Sequence, residues 1–165
     1  MPHAAWCAVS SAGKISPIWI ENSGRAVTAE RYRKVLNQFW VALQRRCVDT
    51  ANEQWIQQNG APAHTAGSNI KWLQERFGER IIARVTIFAW PARSPNLTPP
   101  EFYLWGHLKS LMYQSGPQST PELKAAVRKC VKAITPQQCQ DVLAHVRRRA
   151  EICLARNGAY FEHVL

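Results

Sequence analysis

Gln57-Gln58-Asn59-Gly60-Ala61-Pro62-Ala63-His64-Thr65 is the stretch on which the reading of this chain turns. Trp55 to Gln58 reads as a short strand, and Asn59-Gly60-Ala61-Pro62 must then turn, since Asn-Gly tolerates left-handed backbone and proline fixes its own φ. A helix is expected over Ala66 to Phe77, with Ile70, Leu73 and Phe77 on one face and Gly78 at its C-terminal cap. Upstream, Ala4–Ser10 and Ile15–Ile20 form two β-prone runs around a Ser11-Ala12-Gly13-Lys14 turn, the pattern of a β-hairpin. Thr28 reads as an N-cap, and Tyr32, Val35, Leu36, Phe39 and Leu43 then recur at helical spacing, with Arg45 and Arg46 placed to complement the helix dipole.

Downstream, Val85-Thr86-Ile87-Phe88 reads as another short strand, and the four prolines between Trp90 and Pro100 exclude regular structure there. Thr98-Pro99, Thr120-Pro121 and Thr135-Pro136 each set a capping hydroxyl before a proline, predicting helices over about 99–114, 121–133 and 136–157. The order of elements indicates an α/β or α+β chain without internal repeats.

The 165 residues suit a single domain over 1–165, with a helical C-terminal part over about 99–157. A 46% hydrophobic content and seven tryptophans argue against disorder. No apolar run approaches the length of a membrane span, and Met1–Ser11 does not read as a secretory leader, so neither membrane nor export is expected. Cys7, Cys47, Cys130, Cys139 and Cys153 are scattered and form no C-x-x-C pair, which favours reduced buried thiols over zinc or a disulfide framework. Lys and Arg number 21 against 11 Asp and Glu, a net +10, which favours a polyanionic partner, nucleic acid first.

A second segment completes the reading: Trp90-Pro91-Ala92-Arg93-Ser94-Pro95-Asn96-Leu97-Thr98-Pro99-Pro100-Glu101-Phe102-Tyr103-Leu104-Trp105-Gly106-His107-Leu108-Lys109. Together with the first it closely resembles the catalytic core of mariner-type transposases of the DDE superfamily. There the segments typically read Q-Q-D-x-A-P-x-H and W-P-x-x-S-P-D-L-x-P, then an acidic residue and a helix ending W-G-x-L-K. The hairpin resembles that family's second and third strands, and Asn157-Gly158-Ala159-Tyr160-Phe161-Glu162 resembles its usual ending, so the resemblance covers nearly the whole chain.

The resemblance implies an RNase H-like α/β fold, a mixed sheet with flanking helices, in which three acidic residues hold two divalent ions, magnesium or manganese, for phosphodiester cleavage and strand transfer. Two such ions about 3.5–4 Å apart need anionic oxygens to screen them. This chain departs from that pattern. Asn59 stands at the second acidic position, and losing a unit charge beside a divalent ion costs on the order of several kcal/mol. No acidic residue precedes Glu21, so the first strand of the fold, with its acid, is expected to be lacking. Asn96 replaces the Asp of the S-P-D-L turn. Glu101 is the one surviving triad acid, and it admits two readings: a metal ligand, or the glutamate of a Thr98–Glu101 capping box.

A degenerate centre follows as the expectation, with no retained metal cofactor and no small-molecule substrate. DNA, bound mainly without sequence preference, is the expected partner; a homodimer is compatible with the pattern, and the nucleus is the family's place of action, although no targeting signal is read. Arg93, beside Glu101, is the pointed DNA-contact candidate. Arg147 and Arg148 of the Arg147-Arg148-Arg149 run are either phosphate contacts or a solvated helix face. His64 either contacts a phosphate or braces the Pro62 turn. No helix-turn-helix pair is read ahead of the hairpin, so specific recognition of transposon ends is not expected. The alternatives are a domesticated nucleic-acid or protein interaction module, a DDE endonuclease with Glu21 or Glu53 as substitute ligand, and a chain destabilised by an exposed sheet edge.

Overall fold

The computed structural model describes residues 3–21, 25–92, 94–161 and 163. It divides into two compact units, one formed by Met1–Trp6 with Ile18–Ser94 and one by Cys7–Pro17 with Pro95–Leu165. The hairpin of β1 (His3–Ser10) and β2 (Gly13–Glu21) contributes its base to the first and its turn to the second. Gly13 at the turn has φ +116°, a backbone conformation that disfavours side-chain-bearing residues.

In the first unit, α1 (Ala29–Arg46) begins where expected: the Thr28 hydroxyl accepts the Arg31 N–H. Its buried stripe is Tyr32, Val35, Leu36, Phe39 and Leu43, the heptad-like spacing visible in the sequence. The next regular element is β3 (Ile56–Gln57), which pairs in parallel with β4 (Ile81–Ala83), itself parallel to β5 (Phe88–Ala89). A single helical turn, α2 (Pro62–Thr65), leads into α3 (Gly67–Phe77), which stops at Gly78 with φ +58°. Leu73 and Phe77 of α3, with Leu36 of α1, are wholly buried, and these helices pack together beside the parallel strands.

One expected strand is displaced. Val85-Thr86-Ile87 is a turn; one strand lies earlier, at Ile81–Ala83, and a separate two-residue strand at Phe88–Ala89 pairs beside it. The cause is the Thr86 hydroxyl. It accepts the Ala83 N–H at 3.1 Å and donates toward the Ile81 and Ala83 carbonyls, so a nominally β-branched run closes on itself. Val85 and Ile87 are left exposed, at 57% and 73%, as is Phe88, whose ring meets Trp55 edge-on at 5.0 Å.

In the second unit, a 3-10 turn (Pro95–Leu97) and a π-helical turn (Pro100–Leu104) lead into α4 (Trp105–Ser115), followed by α5 (Thr120–Ala133) and α6 (Pro136–Ala155). α6 has the expected start, a full capping box between Thr135 and Gln138. At α5 the cap is one residue earlier than expected: Ser119, not Thr120, accepts the Glu122 N–H, and Glu122 reaches back to the Ser119 hydroxyl and the Gln118 N–H. Both arrangements place a proline in the first turn, so Thr-Pro alone did not distinguish them. Cys7 and Cys139 are buried and all five cysteines are free. Burial pushes the Cys7 thiol up to about 12, and it donates to the Ile15 carbonyl at 2.8 Å. No helix among the described residues is long and apolar enough to cross a membrane.

The polar centre of the first unit is Asn69, fully buried on α3. Its amide donates to the Ala29 carbonyl at 3.0 Å and the Ala63 carbonyl at 2.7 Å, and its oxygen accepts Arg33 Nε at 2.8 Å. One side chain thus ties α1, α2 and α3 together with nearly every hydrogen-bonding site used. Asn69→Ala would leave two carbonyls and a guanidinium short of partners. It should lower the unfolding free energy by about 3 kcal/mol in urea denaturation.

Candidate functional site

The first unit presents the strand-end segment. Gln58, directly after β3, continues the ladder by donating its N–H to the Ile82 carbonyl at 3.0 Å. Its side chain is buried, and its two ends are both used: Oε1 accepts the Tyr32 hydroxyl at 2.8 Å and Nε2 donates to the His64 carbonyl at 3.0 Å. The chain then leaves the sheet at Asn59, whose Oδ1 accepts the Ala61 N–H at 3.2 Å and so closes an Asx turn. Gly60 follows where a Cβ would stand 3.3 Å from Arg84 Cδ, tighter than ordinary packing. Pro62 at the start of α2 completes the reversal.

His64 lies against this turn. Its ring rests on Tyr32 with centroids 4.1 Å apart, and Nδ1 is buried without a hydrogen-bond partner among the described residues. Burial lowers its pKa from 6.5 to about 4, only partly offset by the Asn59 carbonyl beside the ring. At neutral pH the imidazole is therefore uncharged, and of the two readings open for it the contacts are those of a brace. A neutral, stacked ring offers a phosphate little. Burial likewise holds the Tyr32 phenol well above its ordinary value.

The second unit presents the proline-rich segment and Glu101. The capping box read from Thr98 and Glu101 does not form. The Thr98 N–H that the glutamate would accept donates instead to the Pro95 carbonyl at 3.0 Å. Prolines at 99 and 100 cannot donate, and the Trp105 N–H reaches back five residues to the Pro100 carbonyl, opening a wide π turn. Glu101 sits on that turn with its N–H donated to the Thr98 carbonyl at 2.9 Å; its carboxylate is exposed and has no hydrogen-bond or ion-pair partner among the described residues.

The arginine run of α6 separates by face. Arg149 Nη1 donates to the Asn96 carbonyl at 2.9 Å, and its guanidinium lies 4.1 Å over the Phe102 ring. It thereby holds both the 3-10 turn that precedes Glu101 and the π turn that carries it. Arg147 is exposed and paired with Glu151 at 2.9 Å, and Arg148 is exposed. Arg93 lies outside the described residues. The sequence singled out Arg147 and Arg148 and passed over Arg149; helical periodicity across 147–149 shows that only one of the three can face a given neighbour, but not which neighbour it meets.

Tested against a two-ion centre, the donor set does not fit. No group of three or more His, Cys, Asp or Glu side chains gathers to hold a metal ion among the described residues. Asn59 carries no charge and its oxygen is already engaged in the turn. Glu53 is exposed at the end of a 3-10 turn (Ala51–Glu53), and Glu21 is the last residue of β2. Single carboxylates of this kind do not supply the negative potential that two divalent ions require.

No protein-family model matches the chain. It is similar to the Tcb1 transposable-element transposase of Caenorhabditis briggsae, 29% identical over 109 residues, covering 63% of this chain and 36% of that protein. The chain thus spans little more than a third of that relative's length. Its fold matches the crystal structure of the Mos1 mariner transposase catalytic domain with TM-score 0.78 at 22% identity, over 96% of this chain and 76% of that one. A catalytic-domain structure with Raltegravir and manganese gives 0.79, also at 22% identity, over 96% of this chain and 78% of that one. A pre-cleavage Mos1 transpososome gives 0.81 at 23% identity, over 97% of this chain and 45% of that one. The chain therefore has the RNase H-like fold of the mariner catalytic domain, and the resemblance read from its two motifs is borne out.

The His64 brace gives stability a pH signature. The unfolded imidazole takes a proton near pH 6.5 while the folded one resists until about 4. Its contribution is complete above about pH 6.5 and is lost as the pH falls toward 4, by up to about 3 kcal/mol. His64→Phe keeps a ring on Tyr32 and removes the proton site, so its melting temperature should fall less between pH 7 and pH 4.5 than that of the wild type. Equal falls would show that the ring titrates freely.

Proposed function

We propose that this chain, which has the RNase H-like fold and the paired motifs of mariner-type transposase catalytic domains, is a transposase-derived DNA-binding protein that does not cleave strands. The observation that carries this reading is Asn59: a neutral amide at the end of β3, its oxygen taken up by the Ala61 N–H. Asn keeps the turn that an Asp would also make, so the local architecture survives while the charge needed for two ions is gone. Selection on the fold and loss of the chemistry are compatible at this one position.

DNA binding is supported by the net charge of +10. Arg93 and Arg148 are the contacts this reading retains from the second motif and from the arginine run. His64 and Arg149 act through the backbone they hold rather than through DNA. Binding of this kind is electrostatic and without sequence preference, because phosphates carry no sequence information. In this reading residues 1–165 act as one domain, in the nucleus, and two copies can pair on DNA.

The experiment is a nicking assay on supercoiled plasmid with magnesium or manganese. No cleavage is expected from the wild type, nor from Asn59→Asp, which returns one charge and leaves Glu101 without further acidic company. Metal-dependent nicking by the wild type that disappears in Glu101→Ala would overturn the inactive reading. Binding to random duplex should weaken steeply with salt, with a log–log slope of about −0.9 per phosphate contact.

A further inference from the structure

We propose that the exposed face of α5 is the docking surface for duplex DNA, with Lys124, Arg128, Lys129 and Lys132 on successive backbone phosphates. The proposal rests on the reading of the chain as a DNA binder and goes further by assigning the surface.

Three observations carry it. The first is the pattern on the helix. After Glu122 there is no carboxylate through Ile134, and at about 100° per residue Lys124, Arg128, Lys132 and Lys129 fall within an arc of about 140°. Leu123, Val127, Val131 and Ile134 fill the opposite side, where Val127, Val131 and Ile134 are buried. Packing therefore fixes the cationic side outward, and Arg128, Lys129 and Lys132 are exposed.

The second is the helix end. A helix C-terminus ordinarily carries about half a negative charge, which would oppose an approaching phosphate. Here the Lys14 ammonium, from the hairpin turn, donates to the Ile134 carbonyl and lies 3.4 Å from the Lys132 carbonyl. The end that would repel DNA is offset by a fifth cation.

The third is what stands between the cations. The α5 arc mixes its cations only with small residues, Pro121 and Ala125, so a phosphate strand can come close to the helix. Lys124 to Lys132 spans about 12 Å along the axis, the rise of three to four phosphates on one strand at roughly 3.4 Å each. Cations arrayed along the helix axis match backbone phosphates, which carry no sequence information, so the surface suits any duplex.

The test is fluorescence anisotropy with a random-sequence duplex over about 50 to 200 mM salt. Arg128→Gln with Lys129→Gln and Lys132→Gln should flatten the log–log salt slope by about 2.7 and weaken low-salt binding at least about tenfold. A control removes three cations elsewhere, Lys34→Gln with Arg45→Gln and Lys71→Gln, and should change the slope by less than about 1. Arg128→Lys alone, which keeps the charge, should bind like the wild type, and thermal melts verify that each variant is folded. If the α5 triple keeps the wild-type slope, or the control flattens it equally, the proposed surface is wrong while DNA binding stands. If the wild type itself shows no salt-dependent binding, the DNA-binding reading fails first.

Discussion

The buried side chain of Gln58 is the constraint on which the motif-bearing unit depends. It is a long polar residue buried at a strand end, and it is tolerable because Tyr32 and the His64 backbone take both ends of its amide. In meeting that demand the amide fixes α1 against the end of β3 and holds the turn at Asn59 in one conformation. Asn69 does the same one layer away, joining the carbonyls of Ala29 and Ala63 to Arg33. A buried polar bridge of this kind is unforgiving, since either partner's removal leaves a desolvated group behind.

That rigidity does not depend on the charge of residue 59. The turn after β3 is built from an Asx hydrogen bond, a glycine with a close neighbour and a proline at the first helical position, none of which needs a negative charge. An acid and its amide serve the turn equally well.

In the other unit the corresponding feature is the proline-led helix entry. Pro99 and Pro100 open the helix without a side-chain cap, and the backbone widens into a π turn on which Glu101 is exposed. Arg149 stabilises this entry from α6 through one carbonyl and one aromatic face. The basic residues of this unit thus include an arginine committed to the entry and the lysines and arginine of the outward face of α5.

Several elements were legible in the residues alone because their signals are local. Thr28 and Thr135 cap helices through bonds that span three residues, and Tyr32, Val35, Leu36, Phe39 and Leu43 announce a buried face by spacing. The motif pair and the missing charge at 59 needed no coordinates, since side-chain charge is a property of composition. What only tertiary structure decided is where hydrogen-bonding groups with several possible partners found them. Thr86 closed a turn where its neighbours promised a strand, Thr98 gave its N–H to Pro95 rather than to Glu101, and His64 went onto Tyr32. Each outcome depends on which groups burial brings within about 3 Å, and short-range periodicity carries no such information.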